Sequence, residues 1–293
     1  VRAEHWIDYE QRFDVVLAHV HDHLAEPLDL VVLAQVAGLS PRHFHRVFTS
    51  AFDETLAALV RRLRMQRASD LLANSTTPVA QVAALCGYPD VSSFTRAFTA
   101  AHGVPPARYR TVGTHERFRR AVTRRDPSAF DVEIRAVEPI ACLSVRHRGS
   151  YLGIDQAFTD LAVWYSAHGH PRSAQRHLGV FHTDPTATAV EDMRSRACFE
   201  RPGELPQAEV RPLADGAAEL DEYVIEGGTY AVLTHQGPYS DMPAKYSWFF
   251  GCWVPHAGVA LADRPVVEQY LDLPAGRAPG EIRTEMWLPI EGG

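Results

Sequence analysis

Lysine is missing from the first 125 residues of this 293-residue chain, where sixteen arginines carry the positive charge against twelve acids. Cysteine is scarce too: Cys86, Cys142, Cys198 and Cys252 stand more than 50 residues from one another, which excludes a local metal knuckle or a CxxC redox pair. No apolar run approaches the roughly 20 residues of a membrane span, and the N-terminus lacks the basic-then-apolar order of a secretory signal. These absences point to a soluble cytoplasmic protein with no membrane partner, and the length accommodates two domains with separate cores. The net charge of -7 divides into about +4 up to Arg125 and about -11 beyond it. That asymmetry places nucleic acid at the basic end and keeps the acidic part away from phosphate.

The basic end carries two helix-turn-helix patterns. In the first, Asp29 is placed to cap a short helix over 30–37, Gly38 makes the turn, and Ser40 and Pro41 open a second helix to Ala51. Phe44, Val47 and Phe48 recur on its inner face, leaving Arg42, His45 and Arg46 to meet base edges or phosphates. The second unit repeats the plan. Thr77 and Pro78 begin a helix to Cys86, Gly87 turns, and Asp90 caps a helix to Ala101 with Phe94, Ala97 and Phe98 inside. Val91, Ser92, Thr95 and Arg96 are its outward readers. Between the units, 55–74 keeps Leu56, Leu59, Val60, Leu63, Ala68, Leu71 and Leu72 at helical spacing. Arg61, Arg62, Arg64 and Arg67 lie on or beside the wet face of that helix as solvated or phosphate-steering groups, with Arg61 the DNA-contact candidate. A rigid spacer of this kind lets two readers address major-groove turns about 34 Å apart.

The stretches LAQVAGLSPRHFHRVF, RRLRMQRASDLL and VAALCGYPDVSSFTRAFTAAHGVPPARYR resemble the AraC/XylS family of transcription regulators. The resemblance implies binding of double-stranded promoter DNA through Arg42, His45, Arg46, Val91, Ser92, Thr95 and Arg96, with RNA polymerase as a further partner. It also implies that Gly103, Pro105, Tyr109 and Arg110 close the domain. Asp53 departs from the Gly usual in the family; Asp tolerates a left-handed backbone better than most residues, so a small stability cost is expected.

Residues 113–129, including RFRRAVTRRD, read as an Arg-rich linker. From Phe130 onward, short β-rich segments alternate with two helical ones. The motif His147-Arg148-Gly149-Ser150-Tyr151 returns 88 residues later as His235-Gln236-Gly237-Pro238-Tyr239. Each copy is followed by an aromatic helix, 154–168 or 242–256, and then by further strands. The second part is therefore an α+β domain built from a duplicated β-α-β-β unit, and a ligand is expected in the concavity between the copies. RHRGSYLGIDQAFTDLAVW, LGVFHTDP, GGTYAVLTHQGPYSDM, VVEQYLDLP and TEMWLPI resemble the GyrI-like effector-binding domain. The resemblance makes Tyr151, Trp164, Tyr239, Trp253, Tyr270 and Glu268 or Glu285 candidates to line a ligand cleft, with His182 to Pro185 a structural turn. A carboxylate facing that aromatic set suits a cationic aromatic effector.

The sequence thus predicts a multidomain protein: an all-α DNA-binding domain over 1–112, the linker, and a small-molecule domain over 130–293. The expected function is ligand-responsive, sequence-specific transcription regulation as a monomer or dimer, with no cofactor and no metal. His19, His21 and His23 alternate on a helix and so do not share a face. The alternatives are a GyrI-like hydrolase of electrophilic small molecules, using Glu268 or Glu285 as base and Tyr239 or Tyr151 as donor, and an architectural DNA-binding protein whose C-terminal domain only dimerises.

Overall fold

The computed structural model describes residues 3–52, 54–167, 176–201 and 220–292. Eight helices come first: α1 (Ala3–Asp22), α2 (Leu30–Val36), α3 (Pro41–Phe52), α4 (Leu56–Asn74), α5 (Val79–Leu85), α6 (Val91–His102), α7 (Pro106–Val112) and α8 (His115–Arg124). Asp53 lies outside the described residues.

Local chemistry sets these boundaries. The Asp29 carboxylate accepts the Val31 N–H at 2.7 Å, the Thr55 hydroxyl accepts the Ala58 N–H at 3.2 Å, and Asp90 accepts the Ser93 N–H at 2.7 Å, each satisfying a backbone donor that the first helical turn leaves free. Gly38 and Gly87 make the two turns with φ of 63° and 73°, where a Cβ would be strained. Thr77 does not cap α5. Pro78 takes the N-cap position without a side-chain bond, and the Thr77 hydroxyl lies 2.8 Å from Ser75 Oγ instead.

Two cores result, and α4 belongs to both. Phe13, Phe44, Phe48 and Phe52 pack with Leu56, Leu59, Val60 and Leu63 of α4, with the Phe13 ring edge-on to Phe44 at 5.9 Å and to Phe48 at 5.6 Å. The later part of α4, Met65, Ala68, Leu72 and Ala73, packs with Phe94, Phe98 and Tyr109. Nineteen helical residues make α4 a strut about 28 Å long.

The Arg-rich segment 113–129 is not an extended linker, because α8 occupies its middle. Phe118 and Ala121 are buried and Val122 packs beside them, a stripe at three- and four-residue spacing, while Arg117 and Arg120 point outward. Phe118 stacks on Phe130 at 4.0 Å, and Trp248 Nε1 donates to the Asp126 carbonyl at 2.7 Å. Arg119 donates to the Ala73 carbonyl at the end of α4.

The second part holds β1 (Glu133–Val137), β2 (Ile140–Arg148), α9 (Ile154–Ala167), β3 (His177–Phe181), β4 (Arg194–Glu200), β5 (Leu220–Ile225), β6 (Gly228–Gln236), α10 (Met242–Trp248), α11 (Val254–Ala257), β7 (Val266–Tyr270) and β8 (Arg283–Pro289). These strands form one antiparallel sheet in the order β1-β6-β8-β7-β3-β4-β2-β5. The duplicated unit gains a strand at its start: β1-β2-α9-β3-β4 is matched by β5-β6-α10-β7-β8. The two leading strands are exchanged, β1 pairing with β6 of the second copy and β5 with β2 of the first. Neither copy can then open without breaking a strand pair of the other.

A π turn over Phe249–Trp253 continues α10 into α11. The second copy is one residue longer between its aromatic turn and its third strand, since Tyr151 matches Tyr239 at a spacing of 88 while Gly179 matches Glu268 at 89. Gly179 and Glu268 also pair directly across β3 and β7, so the pseudo-twofold axis passes between them.

Candidate functional site

The expected DNA readers lie on two accessible helix faces. On α3, Arg42, His45 and Arg46 are exposed and make no hydrogen bond or ion pair among the described residues. On α6, Val91, Ser92 and Arg96 are exposed and Thr95 is half-buried. The inner faces are fixed by Phe44, Phe48, Phe94 and Phe98, all fully buried. Arg61 and Arg67 of α4 are exposed, as phosphate steering requires. Arg62 and Arg64 are not available for it. Arg62 donates to Glu54 at 2.6 Å, and Arg64 donates to the carbonyls of Leu24 at 3.0 Å and Glu26 at 2.7 Å, tying α4 to the end of α1 and the chain beyond it. Periodicity alone placed these two arginines beside the wet face; the carbonyls that capture Arg64 lie 40 and 38 residues away, out of reach of a local pattern. Contrary to the expectation that the three early histidines share no face, His19 and His23, four residues apart, stack at 4.3 Å; only His21 points elsewhere, its Nε2 3.5 Å from Asp155 of α9.

The second candidate site forms over the central strands β3 and β7, beneath α9 and α10. Glu268 is only 4% exposed. Its Oε1 accepts the Tyr246 hydroxyl at 2.8 Å and its Oε2 accepts the Tyr270 hydroxyl at 3.0 Å. Tyr239 meets the Tyr270 ring edge-on at 5.5 Å, and Phe158 meets it from α9 at 5.2 Å. Gly179 makes the space: a Cβ there would sit 3.0 Å from the Tyr270 hydroxyl and from Phe181 Cε2. Tyr151, at the equivalent turn in the first copy, packs on Phe181 at 4.8 Å and anchors its hydroxyl on Thr183 at 2.5 Å. Thr183 Oγ1 also accepts the Arg194 N–H at 3.1 Å, making His182 to Pro185 a braced turn.

The chain's one lysine is part of this region. Lys245 of α10 is fully buried, and its Nζ lies 3.5 Å from Met242 Sδ. Burial pulls its ammonium down to about 8 against the favourable fields of Asp241 and Glu268. Burial likewise raises the Glu268 carboxyl above the usual carboxylate range, opposed by the Tyr246 hydroxyl, by Lys245 and by the Tyr270 hydroxyl. The site is therefore an anionic group, an internal cation and three phenols under aromatic cover.

Three of the sequence candidates fall elsewhere. Glu285 lies on the opposite face of the sheet, held by Arg135 at 3.0 and 3.2 Å and by Trp287 Nε1 at 2.8 Å, so it neither lines the cleft nor serves as its base. Neighbouring Met286 of β8 packs with the helices, and the period of two along a strand sends Glu285 the other way. Trp164 packs on Tyr165 at 5.4 Å, at the far end of the cluster that takes in Phe158 and Tyr270, six residues or about 9 Å along α9 from Phe158. Trp253 packs on Phe249 at 5.3 Å within the core of the second copy. Tyr246 was not singled out as a ligand residue, although its position is legible as the counterpart of Phe158 at the 88-residue spacing. A separate groove of 460 Å³ opens between α8 and β6, lined by Arg117, Phe130, Asp131 and His235, and not at Glu268.

Comparison with known proteins follows the same division. A family profile described as a GyrI-like small molecule binding domain matches residues 130–291, and one described as a helix-turn-helix domain matches 33–111. Over 101 residues the chain is 35% identical to the probable transcriptional regulator LumQ of Photobacterium leiognathi, a match spanning 34% of this chain and 41% of that protein. Over 287 residues it is 23% identical to the transcriptional regulator Rob of Salmonella typhimurium, covering 94% of this chain and 96% of that protein. Among solved structures, the DNA-binding domain of AdpA in complex with a target DNA is 32% identical, matching 33% of this chain and 86% of that one with a TM-score of 0.32.

Proposed function

The chain belongs to the GyrI-like family of small molecule binding domains, and on that premise we propose that filling of its C-terminal cleft alters DNA binding by its N-terminal domain. It is a sequence-specific DNA-binding transcription regulator of the AraC/XylS type with a GyrI-like ligand-binding domain. The observation that carries the finer reading is the Glu268 carboxylate, buried beneath Tyr239, Tyr246 and Tyr270. We infer an aromatic or amphiphilic effector whose cationic group engages Glu268, since the aromatic rings and the carboxylate, whose hydrogen-bonding donors are neutral phenols, both attract a cation. Arg42, His45 and Arg46 with Val91, Ser92, Thr95 and Arg96 read the promoter, Arg61 steers phosphate, and RNA polymerase is the downstream partner in the cytoplasm.

The test is titration of the full-length protein with rhodamine 6G and with an uncharged aromatic of similar size, followed by tyrosine and tryptophan fluorescence. Glu268→Gln should weaken the cationic dye by about tenfold or more and leave the neutral one nearly unchanged. Equal loss for both would remove Glu268 from cation recognition. On the DNA side, Arg61→Ala should reduce the salt slope of binding by about one; an unchanged slope would take Arg61 off the phosphates.

A further inference from the structure

The turn Gly237–Asp241 faces two ways. Tyr239 lies against Tyr270 in the cleft. The next residue, Ser240, is buried against the DNA-binding domain: its Oγ lies 3.0 Å from the Tyr109 hydroxyl of α7, and its carbonyl accepts Asn74 Nδ2 at 2.9 Å at the end of α4. Asp241 follows, fully buried, 3.1 Å from His235 Nε2 on β6 and 3.9 Å from His115 Nδ1 on α8. The turn is stiff. Gly237 has a φ of 153°, and a Cβ there would meet His235 Nε2 at 2.3 Å and Asp241 Oδ2 at 2.9 Å.

The cleft buries Glu268 under the half-buried rings of Tyr239, Tyr246 and Tyr270, so a ligand that engages the carboxylate presses on one of its walls. Its floor, β3 and β7, is the middle of an eight-stranded sheet. Its α9 wall is fixed, because Val163 is part of the first reader's core with Phe13, Phe44 and Phe48. The remaining wall includes the short turn at Tyr239, over which Arg62 of α4 is also poised, with Asp155 and Tyr239 in electrostatic reach of its guanidinium. Any displacement of Tyr239 is passed to Ser240 one residue on. From there it enters the far end of the strut α4 through Asn74, and α6 through Tyr109, whose ring lies 5.2 Å from Phe98.

We propose that the Tyr239-Ser240 turn is the transmission element between cleft and DNA reader, with Asn74 and Tyr109 as its receiving groups. Contact on Tyr239 changes the pose of α6 relative to α3 by breaking or shifting the two bonds to Ser240, so the two states differ in contacts that a ligand can bias. The proposal rests on the cleft reading only for the nature of the trigger.

The test is a mutant cycle on the full-length protein, measured as affinity for its own upstream promoter DNA at fixed salt. Tyr239→Ala should shift the Kd by about fivefold or more in the native background, and by less than about twofold when Asn74→Ala and Tyr109→Phe are already present. Gly179→Ala, which presses on Tyr270 and Phe181 from the floor without touching the turn, should follow the same pattern. It serves as the second perturbation if Tyr239→Ala lowers stability. Equal shifts in both backgrounds, or no shift from either perturbation in the native one, would overturn the proposal. A parallel titration with tetraphenylphosphonium keeps the cleft reading separate. Non-additive cycles without saturable binding of that cation would support the transmission element while removing a hydrophobic cation as its trigger.

Discussion

Lys245 is the residue whose surroundings make the sharpest demand. Its folded value near 8 lies below the roughly 10.4 of an unfolded lysine. Between those values the unfolded chain holds more protons, so this group makes stability rise with pH across the window and level off above it. Urea midpoints taken from about pH 7 to about pH 10 should show that rise, and Lys245→Met should abolish it. A second residue-level expectation concerns Arg46. Its exposure and its lack of partners among the described residues mean that Arg46→Ala should change folding stability by less than about 0.5 kcal/mol. The same change should cost about 1–3 kcal/mol on specific DNA. An equal loss on random DNA, read by anisotropy, would mark Arg46 as a phosphate contact instead. Residues such as Arg46 and Phe44 were legible because helical spacing assigns a side chain to an inner or outer face. Glu285 was not, because alternation along a strand separates two faces without saying which one meets the helices.

Among elements, α4 and α8 contrast in how openly they declare themselves. Long apolar periodicity and the Thr55 cap make α4 visible, and the structure adds that its two ends serve two different cores. In α8 three apolar residues stand in a run dominated by arginine, so composition suggests a linker while the tertiary partners Phe130 and Trp248 make a helix of it. Phe118→Ala should therefore cost about 3–5 kcal/mol, the price of emptying a packed ring site. Loss of less than about 0.5 kcal/mol in chemical denaturation would return α8 to the status of a surface connector. The turn at Ser240 was invisible to local reading for a similar reason: its partners Asn74 and Tyr109 are 166 and 131 residues away.

For the whole molecule, the division into two domains was readable from charge and repeat, but the seam between them was not. Val163 lies in the first reader's core, α8 packs on α10, and Trp248 Nε1 bonds the Asp126 carbonyl. A fragment beginning at residue 113 should accordingly melt higher than one beginning at 130, which would lose Phe118 and the Asp126 acceptor; equal melting temperatures in calorimetry would assign α8 to the DNA-binding domain alone. The solitary lysine has one more consequence, for covalent chemistry. Amine-directed reagents meet an ε-amine nowhere on the folded surface, since the only one in the chain is sealed under α10. Below saturating reagent Lys245 should stay unmodified, and its slow acylation would then count, molecule by molecule, how often the interior around Asp241 and Glu268 comes open.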